Sequence, residues 1–216
     1  MNSIASKLLE DRIEAGRLLS VKLNEYKNTN AVVIGIPRGG VCVAYAISKA
    51  LSLPLELMIC SKIKHPGNPK KSIGSVSLND IFIHDCSYDM PQDYIYHQIM
   101  ALRKAMDNEN KFYYGKTSPI SFQNEIVILV DDVVLSSDTM MGCIRSIKME
   151  KPNKVIVAVP LLSEEAAKVI RKETDDLQFI KVASSIAAVN EYFNYFPKVD
   201  QGMVRDLLNK SKMGIE

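Results

Sequence analysis

Two short, wholly apolar runs constrain the fold of this chain more than any other feature of its sequence. Ala31–Ile36 reads AVVIGI and Ile126–Val130 reads IVILV, and neither run contains a polar residue. Such short runs of β-branched and aliphatic residues are typical of strands that are covered on both faces, as in a parallel sheet between layers of helices. They predict an α/β fold with a mainly parallel sheet flanked by helices.

The rest of the chain alternates between helix-like and strand-like segments, which favours the same fold class. No repeat, low-complexity tract or Pro/Gly-rich linker interrupts residues 1–216, so a single domain is expected. The predicted helices are 4–25, 41–51, 92–113, 139–150, 163–173 and 200–210, and the further strands are 55–63, 155–160 and 179–183. Residues 64–90 are expected to be irregular, apart from strand-like pieces at Ile73–Ser77 and Ile81–His84.

Composition excludes several classes of protein. The chain has 27 Lys and Arg against 25 Asp and Glu, and a net charge of +2 is too small for a protein that coats nucleic acid. No run approaches the ~18 apolar residues of a membrane span, and the early acids Glu10, Asp11 and Glu14 argue against a signal peptide. The four cysteines form no CxxC pair, which argues against a zinc site or a disulfide framework. We therefore expect a cytoplasmic protein without a nucleic acid or membrane partner.

The second apolar run leads directly into a group of polar residues. Asp131 and Asp132 follow Val130, and the loop Ser136–Thr139 opens the next predicted helix. Ligands of parallel sheets bind beyond the carboxyl ends of the strands. Helix N-termini and hydroxyl groups bind anions there, and paired acids accept hydrogen bonds from sugar hydroxyls or hold hydrated Mg²⁺. The segment predicts a site for a ribose 5-phosphate, although simple helix capping would also explain the serines.

Two further segments point to an anionic ligand. The first apolar run ends in Pro37-Arg38-Gly39-Gly40, where glycines permit close approach of the backbone and Arg38 offers a forked donor for phosphate. A tight strand-to-helix turn would explain the same glycines without a ligand. Residues 61–79 hold four lysines and no acid, so they carry +4 and the rest of the chain sums to −2. This basic segment is either a mobile lid that closes on a polyanion or a solvated loop.

The acid-and-hydroxyl segment resembles the phosphoribosyl-pyrophosphate (PRPP) loop of type I phosphoribosyltransferases. That motif consists of an apolar strand, two acids, a few residues and then Thr-Gly-x-Thr, and Asp131 and Asp132 match its acids. The resemblance implies that the acids bind the ribose hydroxyls and hold Mg²⁺, directly or through ribose and water. It also implies that Ser136–Thr139 hold the 5-phosphate.

Three positions of this loop differ from the motif or are variable in it. Ser136 replaces the first threonine, and Ser137 replaces the glycine. Glycine readily adopts positive φ, which a serine adopts only at a cost, so strain is expected at Ser137. Asp138 occupies the variable position and adds a negative charge beside the expected phosphate.

A longer stretch resembles a bacterial subgroup of predicted phosphoribosyltransferases. Its members carry Pro-Arg-Gly-Gly-Val, then Arg-Lys, a Pro-Gly-Asn-Pro-Glu loop and Ile-Gly-Ala-Val, and here Lys62 matches the lysine and Pro66–Pro69 match the loop. Ser61 replaces the arginine and Lys70 the glutamate. The resemblance begins at Asp11 and reaches the C-terminus. It implies that pyrophosphate contacts the side chains of Arg38 and Lys62 and the amides of Gly39 and Gly40.

The resemblance also implies a function and an overall layout. The chain would be a glycosyltransferase of the pentosyl type in nucleotide metabolism, moving ribose 5-phosphate from Mg-PRPP to a nitrogenous base and releasing pyrophosphate. It would have a flexible loop at 64–90, a C-terminal hood at 184–216 over the base, and the family's common homodimeric assembly. Leu135 stands where hypoxanthine–guanine enzymes carry an aspartate base.

Other functions remain open from the sequence. The degenerate loop is also compatible with a non-catalytic regulator that binds PRPP or a nucleotide, and less well with hydrolysis or transfer on another sugar phosphate. The aromatic residues at 192–196 are expected to pack against the sheet, with stacking of one ring on the base as the alternative.

Overall fold

The main sheet is parallel throughout, as the two apolar runs predict. The computed structural model describes residues 8–84, 90–115, 121–184 and 188–213. Strands are numbered along the chain, and the sheet order is β2-β1-β6-β8-β9, with β7 pairing with the later part of β8. The strands of this sheet are β1 (Ala31–Gly35), β2 (Leu55–Leu57), β6 (Ile126–Val130), β7 (Val133–Val134), β8 (Lys154–Ser163) and β9 (Asp176–Ala183).

In the part of the chain that the structure describes there are six α-helices, and five of them begin and end within two residues of the predicted bounds. The exception is the first, which begins at Arg12 because the Asp11 carboxylate caps it by accepting the Glu14 amide at 2.8 Å. Residues 4–7 of the predicted helix 4–25 lie outside the described residues. None of the helices in the described ranges is long and apolar enough to cross a membrane. The helices are α1 (Arg12–Lys22), α2 (Gly39–Leu51), α3 (Gln92–Tyr114), α4 (Asp138–Met149), α5 (Glu164–Glu173) and α6 (Gln201–Lys212).

Alternate residues of the central strands supply two separate cores, one on each face of the sheet. Val33 and Ile128 pack with α1, α2, α3 and α6 on one face. Their neighbours Val32 and Val127 pack with α4 and α5 on the other. Because β1 and β6 are buried on both faces, the residues that follow them are held in place at the centre of the sheet.

The basic segment is the main departure from the predicted secondary structure. The predicted strand 55–63 divides into β2 and a separate strand. The strand-like pieces predicted at Ile73–Ser77 and Ile81–His84 are confirmed, and the first of them begins earlier, at Asn68, where an irregular segment was expected. The three strands form an antiparallel sheet that packs against α3 and α4. Movement of this sheet as a lid remains a prediction, and residues 85–89 lie outside the described part. The strands are β3 (Cys60–His65), β4 (Asn68–Ser77) and β5 (Ile81–Ile83).

The two ends of the described chain meet near the carboxyl edge of the main sheet. The Leu9 amide donates to the Tyr192 carbonyl at 2.9 Å, and the Asn194 amide donates to the Leu9 carbonyl at 2.8 Å. Of the predicted hood 184–216, residues 185–187 and 214–216 lie outside the description. Its helix, α6, packs on α2, α3 and β2.

Candidate functional site

The acid pair follows β6, which lies between β1 and β8. The Asp132 amide donates to Oδ1 of Asp131 at 2.8 Å, and the Val133 amide donates to Oδ1 of Asp132 at 3.0 Å. Each carboxylate therefore fixes the backbone that follows it. Burial, and then the adjacent charge of Asp132, raise the pKa of Asp131 well above its usual value. Bringing the two acids together costs free energy, which a cation or hydroxyl donors would offset.

Arg12 holds the second acid, a contact that the sequence interpretation missed. Its Nε lies 2.7 Å from Oδ2 of Asp132, and its Nη1 donates to the Pro197 carbonyl at 2.8 Å. The guanidinium carbon lies 3.5 Å from the centre of the Phe196 ring. The Arg12 and Asp132 side chains are only 9% and 16% exposed, so little water screens the pair. The one signal in the sequence was the scarcity of arginine, with 7 Arg among 27 basic residues.

The glycine turn packs directly against the acid pair. A Cβ atom at Gly39 would overlap the Asp132 carboxylate, and one at Gly40 would lie 2.8 Å from the Asp131 Cα and 2.9 Å from the Val130 carbonyl oxygen. The Pro37–Arg38 peptide bond preceding them is cis. Close packing of the two loops thus accounts for both glycines without a ligand, for a reason different from the tight turn that the sequence suggested. Binding of pyrophosphate by their amides remains a prediction.

Arg38, the other conspicuous residue of the turn, has an exposed side chain. Its charge acts on Tyr113 of α3, whose hydroxyl donates to Glu109 Oε1 at 2.7 Å. Burial and that hydrogen bond raise the pKa of Tyr113, while the charge of Arg38 opposes the shift. Arg38 therefore carries a solvent-accessible positive charge at the same edge of the sheet.

Lys62 of β3 contacts the hydroxyl loop, residues 136–139, although Ser136 lies 74 residues later in the sequence. Its Nζ donates to Ser136 Oγ at 3.0 Å and lies 3.4 Å from Asp138 Oδ2. Ser136 Oγ in turn donates to Asp138 Oδ2 at 2.9 Å. The Asp138 carboxylate thus takes the donors that the sequence predicts for a phosphate.

The strain expected at Ser137 is absent. Its φ is −71° and its ψ is −14°, which are right-handed helical values, and α4 begins at the next residue. The positive-φ residues found in the described segments are at other positions. The Ser137 side chain makes no capping hydrogen bond, so helix capping does not explain this serine either.

One open pocket of about 350 Å³ joins these features. Asp131 lines it, whereas Asp132 is missing from its described lining. This volume lies at the lower end of the range for small-molecule sites. In the ranges that the structure describes, no three His, Cys, Asp or Glu side chains come together as a metal site. The lining residues are Ile36, Pro37, Lys62, Asp131, Val133, Val134, Leu135, Ser136, Thr139 and Met140.

The C-terminal aromatic residues divide between core and surface. Phe193 is 2% exposed and packs with Leu9, Ala15 and Leu161, as the packing interpretation predicted. Its ring centre lies 4.8 Å from that of Phe196. Tyr195 is 62% exposed, so its ring is accessible for the predicted stacking on a base.

Comparisons with known protein families and sequences agree with this geometry. The family model described as phosphoribosyl transferase domain matches residues 6–193. Two Mycobacterium tuberculosis relatives, from strains CDC 1551 and H37Rv, have names containing the words phosphoribosyl transferase. Each is 25% identical over 213 residues, or 95% of this chain. The chain spans about half the length, 47%, of these curated relatives.

Solved structures show the same fold. TT1426 from Thermus thermophilus aligns with a TM-score of 0.84 at 27% identity, covering 94% of this chain and 99% of that one. The purine phosphoribosyltransferase from Pyrococcus horikoshii aligns with a TM-score of 0.50 at 20% identity, covering 88% and 89%. The architecture is therefore that of the type I phosphoribosyltransferase fold.

Proposed function

The chain belongs to the phosphoribosyl transferase domain family, and from that premise we propose that it transfers ribose 5-phosphate from Mg-PRPP to a nitrogenous base. One observation carries the proposal. The acid Asp131, the hydroxyl residues Ser136 and Thr139, and Lys62 all line a single pocket at the carboxyl edge of the sheet. A ribose carrying a phosphate needs acceptors for its hydroxyls and donors for its phosphate within one such space.

Each group in the pocket has a proposed partner in Mg-PRPP. The acid pair binds the ribose hydroxyls, and the loop of Ser136, Ser137, Asp138 and Thr139 binds the 5-phosphate. Lys62 neutralises charge between the phosphates, since it already donates to Ser136. Pyrophosphate meets Arg38 and the amides of Gly39 and Gly40.

The proposed reaction replaces one bond at the anomeric carbon, C1 of the ribose, with another. The bond from C1 to pyrophosphate breaks through an oxocarbenium-like state, and its electron pair leaves with pyrophosphate. A base nitrogen then bonds to C1 and releases its proton to water. Positioning of the ribose by Asp131 and neutralisation of the leaving group by Arg38 and Lys62 are the chain's contributions. The residue at the position of the hypoxanthine–guanine aspartate is Leu135, which offers no proton acceptor there.

The acid pair fits Mg²⁺ only as part of the substrate complex. Mg²⁺ prefers oxygen ligands and keeps several waters, with one or two carboxylates and substrate phosphates completing its shell. Asp131 and Asp132 supply such carboxylates, and when bound the ion would neutralise charge on the pyrophosphate. A nucleobase acceptor and a homodimeric assembly belong to the same proposal, because the family resemblance implies them. A cytoplasmic location belongs to it because the cysteine pattern fits a reducing compartment.

Calorimetry and a product assay test the proposed function. Mg-PRPP is titrated into the protein, and pyrophosphate release is then followed with a panel of purine and pyrimidine bases. We expect binding, together with pyrophosphate and a nucleoside monophosphate from at least one base. Absence of binding would contradict the proposal.

A second function is favoured by the contacts of Asp138. Its carboxylate takes donors from both Lys62 and Ser136, as a bound anion would. In a regulator that senses PRPP or a nucleotide without turnover, replacement of the Asp138 carboxylate by the bound anion would act as the switch. Binding of Mg-PRPP without pyrophosphate release from any base would support the regulator over the enzyme.

Replacing Lys62 with methionine is expected to weaken Mg-PRPP binding by about tenfold or more, since one charge-assisted hydrogen bond is lost. The change also leaves the Asp138 carboxylate unpaired beside the phosphate. The matched control is Lys64→Met, an exposed lysine on the same strand, with an expected change of about twofold or less. Equal losses in calorimetry would instead indicate non-specific attraction of the anion to the basic sheet.

Replacing Ser137 with glycine is expected to leave the affinity for Mg-PRPP within about twofold of the wild type, because the residue already has an unstrained φ. The free energy of unfolding should fall by about 1 kcal/mol or less, from the greater freedom of glycine in the unfolded chain. Calorimetry and denaturant unfolding measure the two effects. A large gain in affinity would show that the loop needs positive φ at this position when it binds ligand.

A further inference from the structure

The two acids of the pair have different surroundings. Both oxygens of Asp132 are engaged by the protein, since Oδ2 accepts from Arg12 and Oδ1 accepts from the Val133 amide. The backbone of Gly39 also lies against the Oδ2 side, where a Cβ atom would overlap the carboxylate. Asp131, in contrast, lines the pocket.

Arg12 connects Asp132, the second acid of the pair, to three other parts of the chain. Through it, Asp132 is joined to α1, to the Pro197 carbonyl and to the Phe196 ring. A nearly buried guanidinium needs a partner that neutralises it, and Asp132 is the carboxylate bonded to it. The Asp132 carboxylate is therefore committed to holding the fold of the site together.

We infer that the two acids have different roles. Asp131 binds the ribose hydroxyls, whereas Asp132 and Arg12 form a positioning pair that holds the acid turn, residues 131–133, in place. The inference rests on the proposed function, because it assigns roles at that site. In the family resemblance both acids bind ribose, so the division is a property of this chain's own contacts. Asp132 acts through the backbone of the turn, since its amide donates to Asp131 Oδ1.

Replacing the charged residues Asp131, Asp132 and Arg12 with neutral ones tests these two roles. The four variants are Asp131→Asn, Asp132→Asn, Arg12→Gln and the double variant Arg12→Gln/Asp132→Asn. In the double variant the glutamine amide can donate to the asparagine oxygen, so the hydrogen bond is kept without the charges. Replacing both members of a buried ion pair is far better tolerated than removing one of them. Arg17→Gln, an exposed position on the same helix, is the control.

Affinity for Mg-PRPP is measured by calorimetry well below each variant's unfolding temperature, so that every sample is folded. We expect Asp131→Asn to lose about 100-fold, because charge-assisted hydrogen bonds to the ligand disappear. Asp132→Asn should lose about tenfold through displacement of the turn, and the double variant should return to within about threefold of the wild type. Arg17→Gln should match the wild type.

Two results would overturn the inference. If the double variant binds as weakly as Asp131→Asn, Asp132 contacts the ligand itself. If Asp131→Asn binds as well as the wild type, Asp131 is not the ribose acid.

Unfolding measurements separate this inference from the proposed function. Even if the wild-type protein binds no Mg-PRPP, which contradicts the function, a cycle of unfolding equilibria still tests the pair. Arg12→Gln and Asp132→Asn should each lower the stability of the fold strongly. The unfolding equilibrium constant of the double variant should be at least about tenfold smaller than the two single effects combined would give. Strictly additive effects would overturn the positioning pair.

Discussion

Replacing Asp131 and Asp132 together with asparagine is expected to abolish binding of Mg-PRPP. The loss of about 100-fold expected for Asp131→Asn, which removes hydrogen bonds to the ligand, and of about tenfold for Asp132→Asn, which displaces the turn, together correspond to about a thousandfold weaker binding. The acids lie at the centre of the carboxyl edge, and Asp131 lines the pocket. Calorimetry with Mg-PRPP measures the effect, and circular dichroism establishes that the variant is folded at the temperature used.

The chain supplies a matched control for this change. Asp175 and Asp176 form a second pair of acids, placed before and at the start of β9, at the opposite edge of the sheet. Asp175 accepts the Val155 amide at 2.7 Å, a hydrogen bond that an asparagine oxygen can keep. Asp175→Asn/Asp176→Asn should therefore bind Mg-PRPP like the wild type. Unchanged affinity in the Asp131→Asn/Asp132→Asn variant would rule out the site.

Replacing Gly40 with alanine is expected to lower the free energy of unfolding by about 3 kcal/mol, the upper part of the range for an overpacked site. The added methyl group would meet the Asp131 Cα at 2.8 Å and the Val130 carbonyl oxygen at 2.9 Å. Both atoms belong to the backbone after and within a central strand, which cannot move without breaking its pairing to β1 and β8. Denaturant unfolding measures the loss.

Gly67→Ala is the control for Gly40→Ala. A methyl group at Gly67 would meet its nearest neighbour, the His65 ring, at 3.5 Å, which is an ordinary contact. Its free energy of unfolding should stay within about 1 kcal/mol of the wild type. If Gly40→Ala were as stable as this control, the glycine turn and the acid turn would have to separate easily.

Local patterns were sufficient to predict the sheet and the position of its ligand edge. The runs at 31–36 and 126–130 are strands buried on both faces, because apolar residues without alternation fit only that environment. The polar residues that follow them meet in one place, since parallel strands bring their carboxyl ends to the same edge. Both steps depend on neighbours in sequence, which a single sequence shows.

Contacts between distant residues could not be predicted in the same way. Arg12 bonds to a carboxylate 120 residues away, and no spacing in the sequence indicates that pairing. Ser136 likewise accepts a hydrogen bond from Lys62, which lies on a strand 74 residues earlier in the sequence. Only parts of the antiparallel sheet were predicted, the strand-like pieces at Ile73–Ser77 and Ile81–His84, because its strands are short or polar and lack an extended apolar run. Its stability comes from pairing and from packing on α3 and α4.

The contacts of residues 9–12 with residues 192–197 have a consequence for folding during synthesis. Arg12 precedes both of its partners, Asp132 and the carbonyl of Pro197, by 120 and 185 residues of sequence. Leu9 likewise pairs with the segment around Phe193. A nascent chain can build β1 and α2 early, but its acid turn gains its final support only after residue 197 has left the exit tunnel. The site that we propose for the ligand is therefore completed only after most of the core has been synthesised.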